Sequence, residues 1–155
     1  ITDGKKTWCE KRDGSKYSQI LLKNKNLQDM TLVTSKNHGN EILRKLIHEI
    51  NFCKVVTMGS IGCKIASIVN GESDIYICLS LPGKSSPKDW DFAAPESILK
   101  AAGGAITDLD NQELTYGKTS FEQGGIIVAT NNRKTHGSIC LEIKKIIEDN
   151  GIYPQ

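Results

Sequence analysis

Between Thr31 and Asp110 the chain trades short β-branched runs for stripes of helical spacing. Thr31-Leu-Val-Thr34 reads as a strand, and Ser35-Lys-Asn-His-Gly39 after it is turn chemistry. From Glu41 to Ile50 the apolar residues Ile42, Leu43, Leu46, Ile47 and Ile50 share one face at a period of 3.6, which predicts a helix. Lys54-Val-Val-Thr57 predicts the next strand and Gly59-Ser-Ile-Gly62 a turn. A helix from about Cys63 to Val69 then stops at Asn70-Gly71, a typical C-terminal cap. Asp74 to Leu79 is a third strand, and the loop from Pro82 to Lys88 leads into a helix that opens at Trp90. Ile106 begins a fourth strand, turned by Asp110-Asn111. Gly124-Gly-Ile-Ile-Val-Ala-Thr130 has the unbroken apolar run of a fifth, interior strand. The helix from Thr135 to Asp149 aligns Ile139, Ile143, Ile146 and Ile147 and ends at Asn150-Gly151. Ahead of all this, Trp8 to Ile20 with its Asp13-Gly14 turn predicts a hairpin.

Strand then helix, three times running, predicts an α/β domain whose sheet is sandwiched by helices. The 155 residues suit one domain, with residues 1–22 as a hairpin lead-in. Composition leaves that picture intact: 38% of residues are hydrophobic and 25% charged. A net charge of +2 argues against nucleic acid or a polybasic membrane patch as partner. No apolar run approaches the roughly 20 residues that cross a bilayer, and Ile1-Thr-Asp-Gly-Lys-Lys6 lacks a signal-peptide layout. Cys9, Cys53, Cys63, Cys78 and Cys140 are widely spread without a Cys-x-x-Cys pair. Reduced thiols in a cytoplasmic protein are therefore expected.

In open α/β sheets ligands gather beyond the strand C-termini, where helices begin. Helix N-termini present unpaired N–H groups and partial positive charge, so they suit phosphate. Three such mouths carry polar or glycine residues: Ser35-Lys-Asn-His38, Gly59-Ser-Ile-Gly62 with Lys64, and Lys88-Asp-Trp-Asp91. Each has a plain structural reading. Ser35 or Asn37 can cap a helix, His38 can sit on a surface loop, Gly59 and Gly62 can serve packing, and Lys64 can be solvated. Asp91 can be an N-cap, worth ~1 kcal/mol. Its neighbours set it apart. Trp90 is expected to lean inward, while Ala93, Ala94 and Pro95 leave no long side chain to shield the carboxylate; Pro95 fits a first helical turn. Magnesium takes one or two carboxylates together with phosphate oxygens and water, so Asp91 alone makes no such site.

Trp90-Asp-Phe-Ala-Ala-Pro-Glu-Ser-Ile98, running on to Ala102-Gly-Gly104, resembles the C-terminal signature of the inositol monophosphatase superfamily. Ser35-Lys-Asn-His38, Gly59-Ser-Ile-Gly-Cys-Lys64 and Leu81-Pro-Gly-Lys84 are similar to its 3'(2'),5'-bisphosphate nucleotidase branch. The likeness runs from about Trp8 onward and implies the C-terminal α/β domain of that fold. It implies a Mg²⁺-dependent, lithium-sensitive phosphatase of sulfur assimilation, removing the 3'-phosphate of adenosine 3',5'-bisphosphate (PAP) or its sulfated relative PAPS. On that resemblance Asp91 binds a catalytic Mg²⁺ beside the scissile phosphate. Ser35 and His38 contact the nucleotide, and Ser60 and Lys64 hold ribose and phosphate. Inositol or sugar monophosphates are the alternative substrates. The family's acidic first motif and its Asp-Pro-Ile/Leu-Asp-Gly-Thr motif are not in this sequence, so the chain matches a C-terminal half. By itself it is expected to be an inactive ligand-binding piece, with the missing half or a self-association partner on its exposed sheet face. Cys78 stands where some relatives place a phosphate-gripping arginine, so the resemblance supplies no ligand for the 5'-phosphate there.

Overall fold

A computed structural model describes residues 1–18, 24–36, 40–81 and 85–152. A hairpin of β1 (Trp8–Glu10) and β2 (Lys16–Ser18) is followed, after a 3-10 turn at Leu27–Asp29, by β3 (Thr31–Ser35), α1 (Glu41–Ile50), β4 (Lys54–Met58), α2 (Ile61–Val69) and β5 (Ile75–Ser80). Next come α3 (Asp89–Ala101), β6 (Ala105–Asp108), β7 (Gly125–Thr130) and α4 (Arg133–Asp149). The five longer strands form one sheet in the order β4-β3-β5-β7-β6. β3 runs parallel to β4 and β5, whereas β7 is antiparallel to β5 and β6. The fifth strand is interior, as its apolar run predicts.

Alternation along the strands sorts the core into two layers. Leu32, Ile75, Ile77 and Val128 face Leu43, Leu46 and Ile50 of α1 and Ile139, Ile143 and Ile147 of α4. Val33, Tyr76, Ile127 and Ala129 face Ile65 and Ile68 of α2 and Phe92 and Leu99 of α3. The sheet is thus sandwiched by helices, and a one-residue slip in any strand would exchange the two cores. Gly103 ends α3 in a left-handed turn at φ 96°. A Cβ on Gly104 would stand 2.5 Å from the Thr130 carbonyl and the Leu99 side chain, so only glycine admits this approach.

Three expectations about α3 need correction. The helix begins at Asp89, two residues before Asp91, so Lys88 is the N-cap and Asp91 occupies the third helical position. Pro95 therefore lies inside the helix, where it has no N–H to offer the Asp91 carbonyl. The buried stripe of α3 is Asp89, Phe92, Glu96 and Leu99. Trp90 falls off that stripe and is 65% exposed, leaning on Phe121 with ring centroids 5.9 Å apart.

The hairpin lies across the outer face of α2 and α3. The Thr7 hydroxyl donates to the Ile98 carbonyl at 3.0 Å, and the Cys9 thiol reaches Asn70 Oδ1 at 3.7 Å. Beneath it lies a largely apolar cavity of about 340 Å³, lined by Trp8, Ile65, Ala66, Val69, Pro95 and Ile98 among others. The indole N–H of Trp8 is buried there without a hydrogen-bond partner.

Candidate active site

Because β3, β4 and β5 are parallel, Ser35, Met58 and Ser80 end at one edge of the sheet. The helices that follow start there too. The chain leaves β3 for α1 on one face and β5 for α3 on the other, and such a divergence between neighbouring strands opens a crevice.

On the α2–α3 side of that crevice Lys64, Tyr76 and Cys78 are neighbours. Lys64 projects from the first turn of α2 and is only 1% exposed, which corrects the solvated reading. Its ammonium donates to the Gly59 carbonyl at 2.7 Å and stands 5.4 Å from the centroid of the Tyr76 ring. No carboxylate lies within ion-pair distance of it among the described residues. Burial pulls the ammonium pKa below the usual lysine value, and the Cys78 and Cys63 thiols offset this in part. The Tyr76 phenol is pushed well above its ordinary value, first by burial, then by Cys78 and by the charge of Asp91. Tyr76 is therefore neutral across the physiological range. Asp91 sits on the same side of the sheet as Lys64, near enough for its charge to act on that phenol.

Asp91 is exposed. One carboxylate oxygen accepts the Lys88 N–H at 2.8 Å, which fixes the group beside the N-terminus of α3. Ser60 is half occupied by structure, since its Oγ caps α2 by accepting the Cys63 N–H at 3.1 Å. Its hydroxyl hydrogen is still available to a ligand. Ser35, at the end of β3, is partly buried, and no contact joins it to the Lys64 cluster. His38 lies outside the described residues.

Asp89 and Gln123 are the residues that sequence reasoning missed here. Asp89 is buried; its carboxylate accepts the Gly117 N–H at 2.7 Å and the Gln123 side-chain amide at 2.6 Å. The Asp89 N–H donates to the Phe121 carbonyl at 2.8 Å, and the Gln123 N–H to the Pro87 carbonyl at 2.9 Å. Lys88 pairs with Glu122 at 2.7 Å. These bonds pin the 115–123 segment to the start of α3 and hold Phe121 at a left-handed φ of 54°. Strained backbone of this kind persists only where its surroundings fix it. An Asp-x-Asp pair flanking tryptophan was the available signal, but nothing in the spacing said which carboxylate turned inward.

No group of three or more metal-binding side chains occurs among the described residues. Asp91 can supply one ligand, so this donor set does not fit a magnesium ion without carboxylates from elsewhere. No described helix is long and apolar enough to cross a membrane.

The inositol monophosphatase family matches residues 2–148. The 3'(2'),5'-bisphosphate nucleotidase 1 of Mus musculus is 32% identical over 109 residues, which cover 69% of this chain and 34% of that protein. The CysQ 3'(2'),5'-bisphosphate nucleotidase of Buchnera aphidicola is 32% identical over 113 residues, covering 73% and 39%. The chain thus spans little more than a third of the length of these relatives. The fold is similar to that of SaIMPase-II solved with inositol monophosphate (TM-score 0.66, 22% identity, 94% of this chain and 54% of that one). It is also similar to that of the Thermotoga maritima IMPase (TM-score 0.63, 18% identity, 89% and 51%). The family is generally metal-dependent. On the match over residues 2–148, this chain belongs to the inositol monophosphatase family.

Proposed function

We propose that this chain is the substrate-holding C-terminal part of a Mg²⁺-dependent phosphatase that removes the 3'-phosphate of PAP or PAPS. One observation carries the reading: Lys64 holds a buried ammonium without a carboxylate at the mouth of α2, on the same side of the sheet as the exposed Asp91 at the mouth of α3. A buried charge normally has a paired counter-ion, so the vacant role suits an anionic ligand. Its three N–H donors act as a compact charge on phosphate oxygens, and one of them is already spent on Gly59. The relatives named as bisphosphate nucleotidases favour a nucleotide carrying two phosphates.

In this reading Lys64 binds phosphate, Ser60 donates its hydroxyl to the ribose–phosphate region, and Ser35 and His38 contact the nucleotide. Asp91 gives one ligand to Mg²⁺, whose chemistry when bound is to polarise the phosphate and lower the pKa of water. The remaining carboxylates come from outside this chain, so the 155 residues alone bind ligand weakly and do not turn it over. Helices cover both faces of the sheet, so the expected docking on an exposed sheet face does not hold, and the face around Trp8 and the α2–α3 cavity is the surface left for the rest of the parent protein or a second copy. Lithium sensitivity, a place in sulfur metabolism and a cytoplasmic location belong to the same reading.

Phosphate release by the full-length parent from PAP and from inositol monophosphate tests it. Faster release from PAP, with Asp91→Asn lowering turnover by at least about a hundredfold, supports the assignment. Preference for inositol monophosphate contradicts the nucleotide, and an unchanged rate in Asp91→Asn removes the metal role.

A further inference from the structure

We propose that Tyr76 is the positioning residue for Lys64: its ring face seats the ammonium and keeps it buried, charged and free to take a phosphate group. The inference rests on Lys64 being the anion ligand. It adds the reason why a lysine can be sealed from water at this place without a carboxylate beside it.

An ammonium has three donors and needs compensation once buried. Two groups touch the Lys64 ammonium: the Gly59 carbonyl at 2.7 Å and the Tyr76 ring, whose centroid is 5.4 Å from Nζ. The negative face of an aromatic ring attracts a cation electrostatically, and the attraction grows when water is excluded. Neither of these two contacts carries charge. A carboxylate in the same place would stabilise the ammonium better, but it would also cancel the charge that an anion must find. A neutral seat leaves a net positive charge at the mouth.

The seat is also rigid. β5 lies between β3 and β7, and Tyr76 is registered opposite Val33 on one side and Ala129 on the other. Its side chain is 1% exposed, packed in the layer that contains Ile65, Ile68 and Phe92. The ring has no room to swing away, so Lys64 inherits a fixed position from the sheet. Lys64 stands over the ring of Tyr76, yet it forms no ion pair with Asp91. The cation therefore does not collapse onto the carboxylate that the proposed function needs for metal.

Titration of the 155-residue chain with PAP, followed by two-dimensional amide NMR, tests the proposal. Position 76 is changed first to phenylalanine and then to phenylalanines carrying one, two and three ring fluorines. These keep the shape of the ring and drain its face in steps. Tyr76→Phe is expected to hold affinity within about twofold, with a graded loss reaching ~tenfold at three fluorines and an unmoved melting midpoint. Tyr76→Leu is expected to lose at least as much. A flat fluorine series, with Lys64→Met still abolishing binding, makes Tyr76 mere packing and overturns the proposal alone. Unchanged affinity in Lys64→Met instead overturns the anion-ligand reading beneath it.

Discussion

The two edges of the five-stranded sheet treat charge in opposite ways. Where β3 and β5 begin, Asp74 is buried and saturated. Its carboxylate accepts Lys25 at 2.6 Å, the Thr31 N–H at 2.9 Å and the Asn131 side-chain amide at 2.9 Å. Its backbone adds an N–H to the Thr31 carbonyl and a carbonyl to the Asn131 N–H, so three strands are stapled at one residue. Where β3 and β5 end, Lys64 is as deeply buried but has one carbonyl and one ring, and Asp91 stands open. The first arrangement is what stability favours. The second costs stability, and a ligand is the group that would offset it.

This contrast is sharpest if the two edges are broken separately. Asp74→Ala strands the Lys25 ammonium and two N–H donors, and is expected to lower unfolding free energy by about 4 kcal/mol. Urea denaturation measures it, and PAP affinity should be unaffected at temperatures where the variant is folded. A loss under about 1 kcal/mol would mean the base staple contributes little.

Acid probes the same region of the core next. His136 in α4 is buried between the Thr107 and Thr130 hydroxyls at 2.8 and 2.9 Å, with Cys140 Sγ at 3.5 Å. The imidazole thus has a hydroxyl partner at each ring nitrogen. Burial lowers its pKa to about 4. The unfolded chain, with an ordinary histidine near 6.5, then binds more protons than the folded one between those values. Stability from this group is whole above pH 6.5 and falls as pH drops towards 4, by about 3 kcal/mol in total. Unfolding measured across that window should show the slope, and His136→Gln should flatten it.

Lys64→Met has an inverse signature. Removing a buried ammonium that has no carboxylate partner is expected to leave stability unchanged or raise it by ~1 kcal/mol while PAP binding is lost. A large destabilisation would show instead that Lys64 is a structural cation. Asp91→Asn is expected to have the smallest effect on folding, under about 0.5 kcal/mol, because an amide oxygen can still accept the Lys88 N–H. Chemical denaturation separates that from the turnover loss in the full-length parent.

Much of this frame was legible in the sequence. α1 spans Glu41–Ile50 as its stripe predicts, because the two core layers demand continuous periodicity there. β7 is interior because an unbroken apolar run has to be covered on both faces. Gly71 ends α2 in a left-handed turn at φ 75°, as the Asn-Gly pair suggests. What could not be read was direction. Lys64 looks like any lysine on a helix until β5 is laid against α2, and Tyr76 looks like ordinary alternation in a strand. Asp89 and Asp91 differ by about 200° around α3, yet only the fold of residues 115–123 decides which is buried. Trp90 was misplaced for the same reason: it lies about 200° around α3 from Phe92, away from the stripe that the fold buries.

The most direct test is an NMR titration of PAP into the wild-type chain and into Lys64→Met, with amide shifts followed at Gly59, Ser60 and Asp91. Saturable shifts at those three residues in the wild type, absent from the variant, are the predicted result. Equal binding by both chains, or shifts confined to the base around Asp74, would contradict the assignment of the strand ends as the phosphate site.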